Sequence, residues 1–197
     1  MQIIRVPELR DAPGVYRVCF ETGTNPAEVA TAERNADLLG HVFAGPYLLH
    51  SPELCRVIVD SSGVAGYLLA VADTSAFASW CETTWWPPLR EQYPLGSGIA
   101  ADAETIGMLH RPPLAPVALL HDYPAHLHID FLDRARGVGL GRSLIGGLLD
   151  QLANLGAPGI HLGVGADNQN AIGFYQHLGF REALVTDGVK WMVRSTT

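Results

Sequence analysis

The sequence predicts an α+β fold built on a mixed β-sheet, and three stretches of its pattern support this prediction. Residues 54–60 and 64–72 are two apolar strands joined at "SSG", which is the pattern of an antiparallel hairpin. Residues 126–164 form a strand, helix and strand unit, which normally gives two parallel strands joined by a right-handed crossover. A helix and two further strands are predicted over 168–194. One sheet would therefore contain both antiparallel and parallel pairs.

Length and composition limit the number of domains and the kinds of partner. A chain of 197 residues with 48% hydrophobic content buries one core but hardly two, so we expect a single domain over 1–197. The net charge of -7 and the absence of a Lys/Arg run argue against nucleic acid as a partner. The longest apolar run, 64–72, is too short to span a bilayer, and the first ten residues do not resemble a secretion signal.

Three cysteines, Cys19, Cys55 and Cys81, lie far apart with no disulfide-framework or zinc-ligand spacing. We therefore expect reduced thiols, no bound metal and a cytoplasmic location.

The first half of the chain is predicted to contain one strand and two helices before the hairpin. The strand covers 2–6, and Asp11 is expected to cap a helix that runs to about Glu21. A second helix is predicted over 25–40, with Gly40 as its end.

The middle of the chain, about 74–125, is rich in proline and tryptophan and is predicted to be an elaboration of the same domain, with a helix at about 101–110. Trp85 and Trp86 precede two prolines, so we expect the chain to turn there instead of continuing a helix. The two rings could line a substrate pocket, but we favour packing against the hydrophobic side of the elaboration.

The last third has a regular pattern. Residues 126–132 alternate polar and apolar, 160–164 alternate in the same way, and strands are predicted near 180–185 and 189–194. A helix between the first two strands ends at Gly156. One face of this helix carries Leu140, Leu144, Leu148, Leu152 and Leu155.

The loop "RARGVGLGRSL", residues 134–144, carries Gly137, Gly139 and Gly141 directly before that helix. Such a loop offers unpaired N–H groups and the positive end of a helix dipole, which suit a phosphate or pyrophosphate. A P-loop would require Lys and Ser/Thr after its last glycine, but Arg142 follows here and the four-residue spacer is missing. A dinucleotide loop is disfavoured because the spacing is GxGxG and the nearest promising later acid, Asp167, follows the next strand.

Two motifs resemble those of the GNAT superfamily of N-acetyltransferases. Arg136, Gly139 and Gly141 form R-x-x-G-x-G, which is similar to the acetyl-CoA loop of that family, and "NQNAIGFYQHLGF" at 168–180 is similar to its second signature. The order of elements is also similar. The resemblance implies an α/β/α sandwich with a mixed, mostly antiparallel central sheet, one parallel strand pair and flanking helices. It also implies transfer of an acetyl group from acetyl-CoA to an amine by direct attack.

A narrower resemblance, over 66–94 and "DYPAHLHID" at 122–130, is to the C-terminal acetyltransferase-like domain of animal O-GlcNAcase. That domain is commonly regarded as lacking the usual CoA loop, whereas this sequence keeps one. Two functions therefore stay open: an N-acetyltransferase for a small amine or a protein lysine, and an acetyl-CoA-binding module for interaction or sensing. A homodimer is plausible by family analogy.

The GNAT resemblance implies that the glycine loop and the last helix bind CoA. Arg136, which lies in the family pattern, and Arg142, which lies outside it, would neutralise phosphates. Ser143 would add a hydroxyl or cap the helix, and Asn170 would contact the pantetheine arm or act as a cap. The complete implied set is Phe131, Leu132, Arg136, Gly137, Val138, Gly139, Leu140, Gly141, Arg142, Ser143, Asn170, Phe174 and Tyr175.

Tyr175 matches the family position whose hydroxyl faces the CoA sulfur, so it is the candidate proton donor to the departing thiolate. The alternative is core packing, because Ala171, Phe174, Tyr175 and Leu178 follow helical spacing.

A proton acceptor is also useful, because an amine with a pKa of about 10.4 is almost entirely protonated at pH 7. His126, His128 and Asp130 share one face of the strand at 126–132. We place Asp130 first and His128 second as acceptors, although Asp130 could instead fix a neighbouring group. Glu82, His121 and Asp122 are reserve candidates.

Overall fold

The computed structural model describes residues 2–24, 34–137 and 139–197, and these ranges contain one sheet of seven strands. The strands are β1 (Ile3–Arg5), β2 (Arg56–Asp60), β3 (Gly63–Val71), β4 (Ala125–Phe131), β5 (Gly159–Gly165), β6 (Arg181–Thr186) and β7 (Val189–Ser195). Their order is β1-β2-β3-β4-β5-β7-β6. The β4/β5 pair is parallel and each of the other neighbouring pairs is antiparallel. The predicted mixed sheet with one parallel pair is confirmed.

Helices cover both faces of the sheet. In the described ranges they are α1 (Ala12–Gly23), α2 (Asp37–Phe43), α3 (Gly45–His50), α4 (Thr74–Trp80), α5 (Trp86–Gln92), α6 (Ala103–His110), α7 (Val117–Leu120), α8 (Leu140–Asn154) and α9 (Gln169–His177). Residues of α8 and α9 pack on one face, and residues of α1 to α6 pack on the other. Because both faces are covered, β3 is buried at every position from Val64 to Val71. No helix in the described ranges is long and apolar enough to cross a membrane.

The predicted leucine face of α8 is confirmed for four of its five members. Leu144, Leu148 and Leu152 are buried and Leu140 is half-buried against the same core. Leu155 lies beyond the last helical residue and is 62% exposed, so its assignment to this face is wrong. Gly156 ends the helical run with φ of 78°, a left-handed conformation that glycine adopts without strain.

Asp11 precedes α1 as predicted, but its side chain does not cap the helix. The carboxylate instead accepts two hydrogen bonds from the guanidinium of Arg5, at 2.6 and 2.7 Å, and one from the Glu8 N–H at 2.7 Å. These bonds hold the pKa of Asp11 below its ordinary value. The residue therefore ties β1 to the start of α1.

Gly40 lies inside α2 and does not end it, so that part of the prediction is wrong. Residues 25–33 of the predicted helix lie outside the described ranges. A Cβ at Gly40 would overlap Cδ1 and Cγ of Tyr16 on α1. Glycine at this position therefore allows the Tyr16 ring to lie directly on the α2 backbone.

The tryptophan pair does not break the helix, contrary to the prediction. A wide turn at Cys81–Trp85 joins α4 to α5 without a break, and the Trp86 N–H bonds the carbonyl of Cys81 five residues back. The two prolines then occupy the first turn of α5, where a missing N–H is tolerated. Trp86 is buried in the core, and the Trp85 indole N–H donates to the carbonyl of His41 at 2.9 Å. This arrangement agrees with packing of the elaboration.

Candidate active site

The sheet opens between β4 and β5. These strands pair only at Ala125 with Ile160 and at His126 with His161, although β4 continues to Phe131 and β5 to Gly165. On their other sides, β4 pairs with β3 and β5 pairs with β7 along most of their lengths. The C-terminal halves of β4 and β5 therefore separate, and this gap is called the opening below.

Backbone donors of β4 face the opening. The Leu132 N–H donates to the carbonyl of Ala65 at 2.9 Å, on the β3 side. Since backbone groups alternate sides along an antiparallel strand, those of Ile129 and Phe131 point away from β3. The Phe131 carbonyl accepts a hydrogen bond from Arg136 Nε at 2.8 Å. The N–H groups of Ile129 and Phe131 are thus donors at the opening.

The three glycines of the loop serve different purposes. Gly137 and Gly139 have φ of 79° and 78°, and a Cβ at either position would meet nothing described within 4 Å. Gly139 directly precedes α8, so this open space adjoins the first helical turn, whose N–H groups have no partner within the helix. A Cβ at Gly141 would lie 2.7 Å from Cζ of Phe174 and 3.3 Å from Cε2 of Phe131. Gly141 therefore allows α8, α9 and β4 to approach closely.

The two arginines of the loop also differ. Arg136 is held by the Phe131 carbonyl and by Asp133, whose Oδ1 lies 2.9 Å from Nη1. Arg142 is exposed in the first turn of α8 and forms no ion pair within the described ranges. Val138 lies outside those ranges, and Ser143 is exposed. Arg142 is therefore better suited than Arg136 to meet a phosphate.

Among the predicted residues of α9, the cap is Asn168 and not Asn170. The Asn168 side chain accepts a hydrogen bond from the Ala171 N–H at 3.1 Å, while Asn170 is exposed in the first turn. Phe174 is 37% exposed beside Gly141, so it does not belong to the buried face. Asn170 and Phe174 remain available at the surface next to the loop.

Tyr175 packs in the core between the sheet and α8, with 9% of its surface exposed. Its hydroxyl forms no hydrogen bond with any described residue. Burial raises the pKa of this phenol, and the charge of Asp130 raises it further. The Asp130 side chain belongs to the opposite face of the sheet. An effect of its charge on the pKa of Tyr175 agrees with a Tyr175 hydroxyl that points into the opening.

His126, the first polar residue of β4, is held by hydrogen bonds through both of its ring nitrogens. The Thr74 hydroxyl donates to the Pro124 carbonyl at 2.6 Å, so it must accept from Nδ1–H of His126, 2.7 Å away. Nε2 then accepts from the Tyr47 hydroxyl at 2.7 Å. Burial keeps the pKa of His126 well below its ordinary value, so the ring is a neutral link between β4 and two helices.

Asp130 and His128, the two candidate acceptors, follow on the same face. The hydroxyl of buried Tyr67 donates to Oδ2 of Asp130 at 2.7 Å. The half-buried His128 ring lies 5.9 Å from Phe43 and 5.3 Å from Tyr47, centroid to centroid. Its nitrogens bond no described residue; burial lowers its pKa, while Asp130 opposes this shift. A neutral imidazole therefore lies next to an anchored carboxylate.

The reserve candidates are less suitable as bases. Both oxygens of Glu82 are bound by Arg90, at 2.8 and 2.9 Å, and this pairing lowers the pKa of Glu82. His121 and Asp122 have side chains that are 97% and 72% exposed. None of the three shares the environment of His128 and Asp130.

The sequence prediction missed three residues on the sheet face that carries His126, His128 and Asp130. Tyr67 anchors Asp130, His161 on β5 lies 5.5 Å from the His126 ring, and Trp191 on β7 lies 5.9 Å from His161. The alternation of "IHLGV" signals which face His161 occupies, but no local signal shows that these strands become neighbours. The face therefore carries more polar and aromatic groups than β4 alone supplies.

A mixed sheet with one parallel strand pair, beside a glycine loop at a helix N-terminus, is the arrangement that the resemblance to acetyltransferases implies. The family model "Acetyltransferase (GNAT) family" matches residues 70–180. The chain therefore belongs to the GNAT family, and the predicted family is confirmed.

Individual relatives agree with this assignment. Protein O-GlcNAcase of Rattus norvegicus is 26% identical over 183 residues, covering 91% of this chain and 20% of the relative, and the Mus musculus protein matches to the same extent. The chain thus spans about a fifth of the length of these curated relatives. The predicted resemblance to the acetyltransferase-like region of O-GlcNAcase is confirmed.

Solved structures show the same fold. The crystal structure of SsHAT is 33% identical, with a TM-score of 0.88 over 100% of this chain and 98% of that one. YncA of Salmonella typhimurium, a putative acetyltransferase solved with its cofactor acetyl-CoA, is 14% identical, with a TM-score of 0.55 over 100% of this chain and 94% of that one. At this identity, the YncA structure shows similarity of fold alone.

Proposed function

We propose that this protein transfers the acetyl group of acetyl-CoA to an amine. The observation that carries the proposal is the opening between β4 and β5. The glycine loop and Tyr175 lie on the face of the sheet that α8 and α9 cover. The side chains of His128 and Asp130 lie on the opposite face. A thioester and an amine could therefore meet through the gap from opposite faces.

The residues present suit acetyl-CoA. Open space over Gly137 and Gly139, the first N–H groups of α8 and the unpaired Arg142 form a cradle for a pyrophosphate. When bound, acetyl-CoA supplies the acyl group as a thioester and a thiolate as the leaving group. Val138 belongs to the same segment and remains a cofactor-contact prediction from sequence.

Proton removal from the amine is assigned to Asp130 and His128. An ammonium group must lose a proton before its nitrogen can attack, and a neutral imidazole or a carboxylate can accept that proton directly or through water. Tyr67 occupies one oxygen of Asp130 and leaves the other free for this purpose. His128 is suited to accept a proton because burial favours its neutral form.

Proton supply and charge stabilisation are assigned to the other face. A phenol is protonated at neutral pH, so the Tyr175 hydroxyl can donate a proton to the departing sulfur. The N–H groups of Ile129 and Phe131 can donate to the oxygen on which negative charge develops.

The second candidate is an acetyl-CoA-binding module without turnover. Such a module could have its acceptor space filled by large side chains such as those of Trp85 and Trp86. Trp86 instead lies in the core and Trp85 bonds His41, so this support for the module is lost.

Calorimetry with acetyl-CoA tests the proposal. We expect binding to the wild type, loss of binding in Gly139→Glu, and retained binding in Gly146→Glu. Gly146 controls for the added charge and bulk because it is exposed within α8 and has nothing within 4 Å of its Cβ position. Release of CoA thiol on addition of primary amines would then separate enzyme from binding module. No binding to the wild type would refute both functions.

A further inference from the structure

Glycines line the β5 side of the opening. Ile160, Leu162 and Val164 face α8 and α9, so Gly163 and Gly165 face the opposite way. Extending the register of His126 with His161 places His128 opposite Gly163 and Asp130 opposite Gly165. Because Gly163 and Gly165 have no side chains, the side chains of neighbouring residues can lie directly on this edge of the opening.

The indole of Trp191 lies over this edge. Trp191 pairs with Gly163, and a Cβ there would lie 3.4 Å from Cζ3 and 3.5 Å from Cη2 of the ring. The six-membered ring thus extends from β7 onto β5, beside Cγ1 of Val189, which would lie 2.9 Å from the same Cβ. Its Nε1–H donates to Thr186 Oγ1 at 2.8 Å, which fixes the ring orientation. A half-exposed indole of fixed orientation can attract a cation to its face.

Asp167 supplies a carboxylate at the same edge. A Cβ at Gly165 would lie 3.0 Å from Oδ1 of Asp167, so the side chain turns back over β5 on the Trp191 side. Asp167 is exposed, and its side chain forms no hydrogen bond or ion pair within the described ranges. Indole and carboxylate together are a combination that suits an ammonium group.

Basic groups near this edge are already engaged. Lys190 lies 2.7 Å from Glu182 and Arg181 donates to the Tyr123 hydroxyl. Neither Asp130 nor Asp167 pairs with a Lys or Arg of the described ranges. The opening therefore has one uncompensated carboxylate on each edge, in a chain of net charge -7.

The groups assigned to proton transfer favour reaction at the β4 edge. Asp130 and His128 lie on β4, and the Tyr175 hydroxyl, which bonds no described residue, belongs to a side chain that packs against the sheet from the α8 face. The reacting nitrogen would accordingly lie beside Asp130 and His128. Paired strands are about 4.8 Å apart, and β4 and β5 no longer pair here, so a ligand that contacts both edges needs its two nitrogens separated by several methylene groups.

We propose that the acceptor is an aliphatic di- or polyamine, whose unreacting ammonium group binds between Trp191 and Asp167. This inference rests on the proposed acetyl transfer. One ammonium loses its proton at the β4 edge and forms the new amide, while the second remains charged and contributes only to binding.

The test compares 1,4-diaminobutane with 1-aminobutane at saturating acetyl-CoA, with CoA thiol release as the assay. For the wild type, we expect kcat/KM to be at least about tenfold higher for the diamine. Asp167→Asn and Trp191→Leu should each lower this ratio about fivefold or more, with kcat/KM for 1-aminobutane nearly unchanged. Trp191→Phe should retain part of the preference because it keeps an aromatic face.

Asp150→Asn is the matched control, since Asp150 is an exposed carboxylate of α8 and the substitution changes net charge equally. Equal kcat/KM for the two amines in the wild type, or an equal loss of preference in Asp150→Asn and Asp167→Asn, would overturn the inference.

If acetyl-CoA binds but neither amine reacts, calorimetry with 1,4-diaminobutane in the presence of CoA tests the ammonium site directly. Diamine binding that Asp167→Asn abolishes supports the site, and absence of diamine binding refutes it. Failure of acetyl-CoA binding counts against the proposed function instead.

Discussion

Gly40→Ala should destabilise the protein, although alanine is the better helix former. The new Cβ would overlap two ring atoms of Tyr16 and lie 2.8 Å from a third, Cε1. The ring cannot simply move away, because its hydroxyl bonds His41 Nδ1 at 3.1 Å and also lies against Gly45. Overpacking costs about 1–3 kcal/mol. The helix-propensity gain of about 1 kcal/mol offsets part of this, which leaves a net loss of up to about 2 kcal/mol.

Urea unfolding of two further variants checks this reasoning. Gly146→Ala lies in an exposed part of α8 with nothing near its Cβ, so it should stabilise by about 0.5–1 kcal/mol. In a Tyr16→Leu background the overlap is relieved, and Gly40→Ala should then be neutral or stabilising. The coupling between the two positions should be about 2 kcal/mol. Equal costs of Gly40→Ala in both backgrounds would refute the steric explanation.

Three further predictions concern pH, catalysis and cofactor binding. Burial lowers the pKa of several histidines, so the unfolded chain binds more protons than the folded protein below about pH 6.5. Stability should therefore be full above this pH and fall as the pH drops to 5, as the urea midpoint will show; a flat profile would contradict it. The histidines concerned are His126, His128 and His161. Tyr175→Phe should lower kcat about a hundredfold with little change in KM or stability, since its hydroxyl has no described partner; unchanged kcat would exclude it as the proton donor. Arg142→Ala should weaken acetyl-CoA binding about tenfold at low salt and less at high salt in calorimetry, and an effect independent of salt would argue against a phosphate contact.

Local patterns predicted the elements of this protein well because they depend on short-range physics. The period of two at 126–132 and 160–164 gave the two strands, and their connection through a helix gave the parallel pair. Gly156 was correctly predicted as a helix end, but Gly40 was not. Both are single glycines after an apolar helical run, and only the contact between Gly40 and Tyr16 on another helix distinguishes them.

The face that carries the candidate site was predicted only in part, since its residues come from distant parts of the chain. The period of β4 correctly grouped His126, His128 and Asp130 on one face. It could not show that Tyr47, 79 residues away from His126, makes that histidine structural, or that Tyr67 anchors Asp130. The tryptophan pair was misread because the wide turn before the two prolines has no clear local signature.

The sequence by itself determined the family, the mixed sheet and the glycine loop, because each depends on spacing within a few tens of residues. The tertiary structure decided where β4 and β5 separate, which β4 side chains are already bonded and which groups of β5 and β7 face them across the gap. Spacing specifies the face on which a side chain lies. Its partner on that face depends on packing between segments that are distant in sequence.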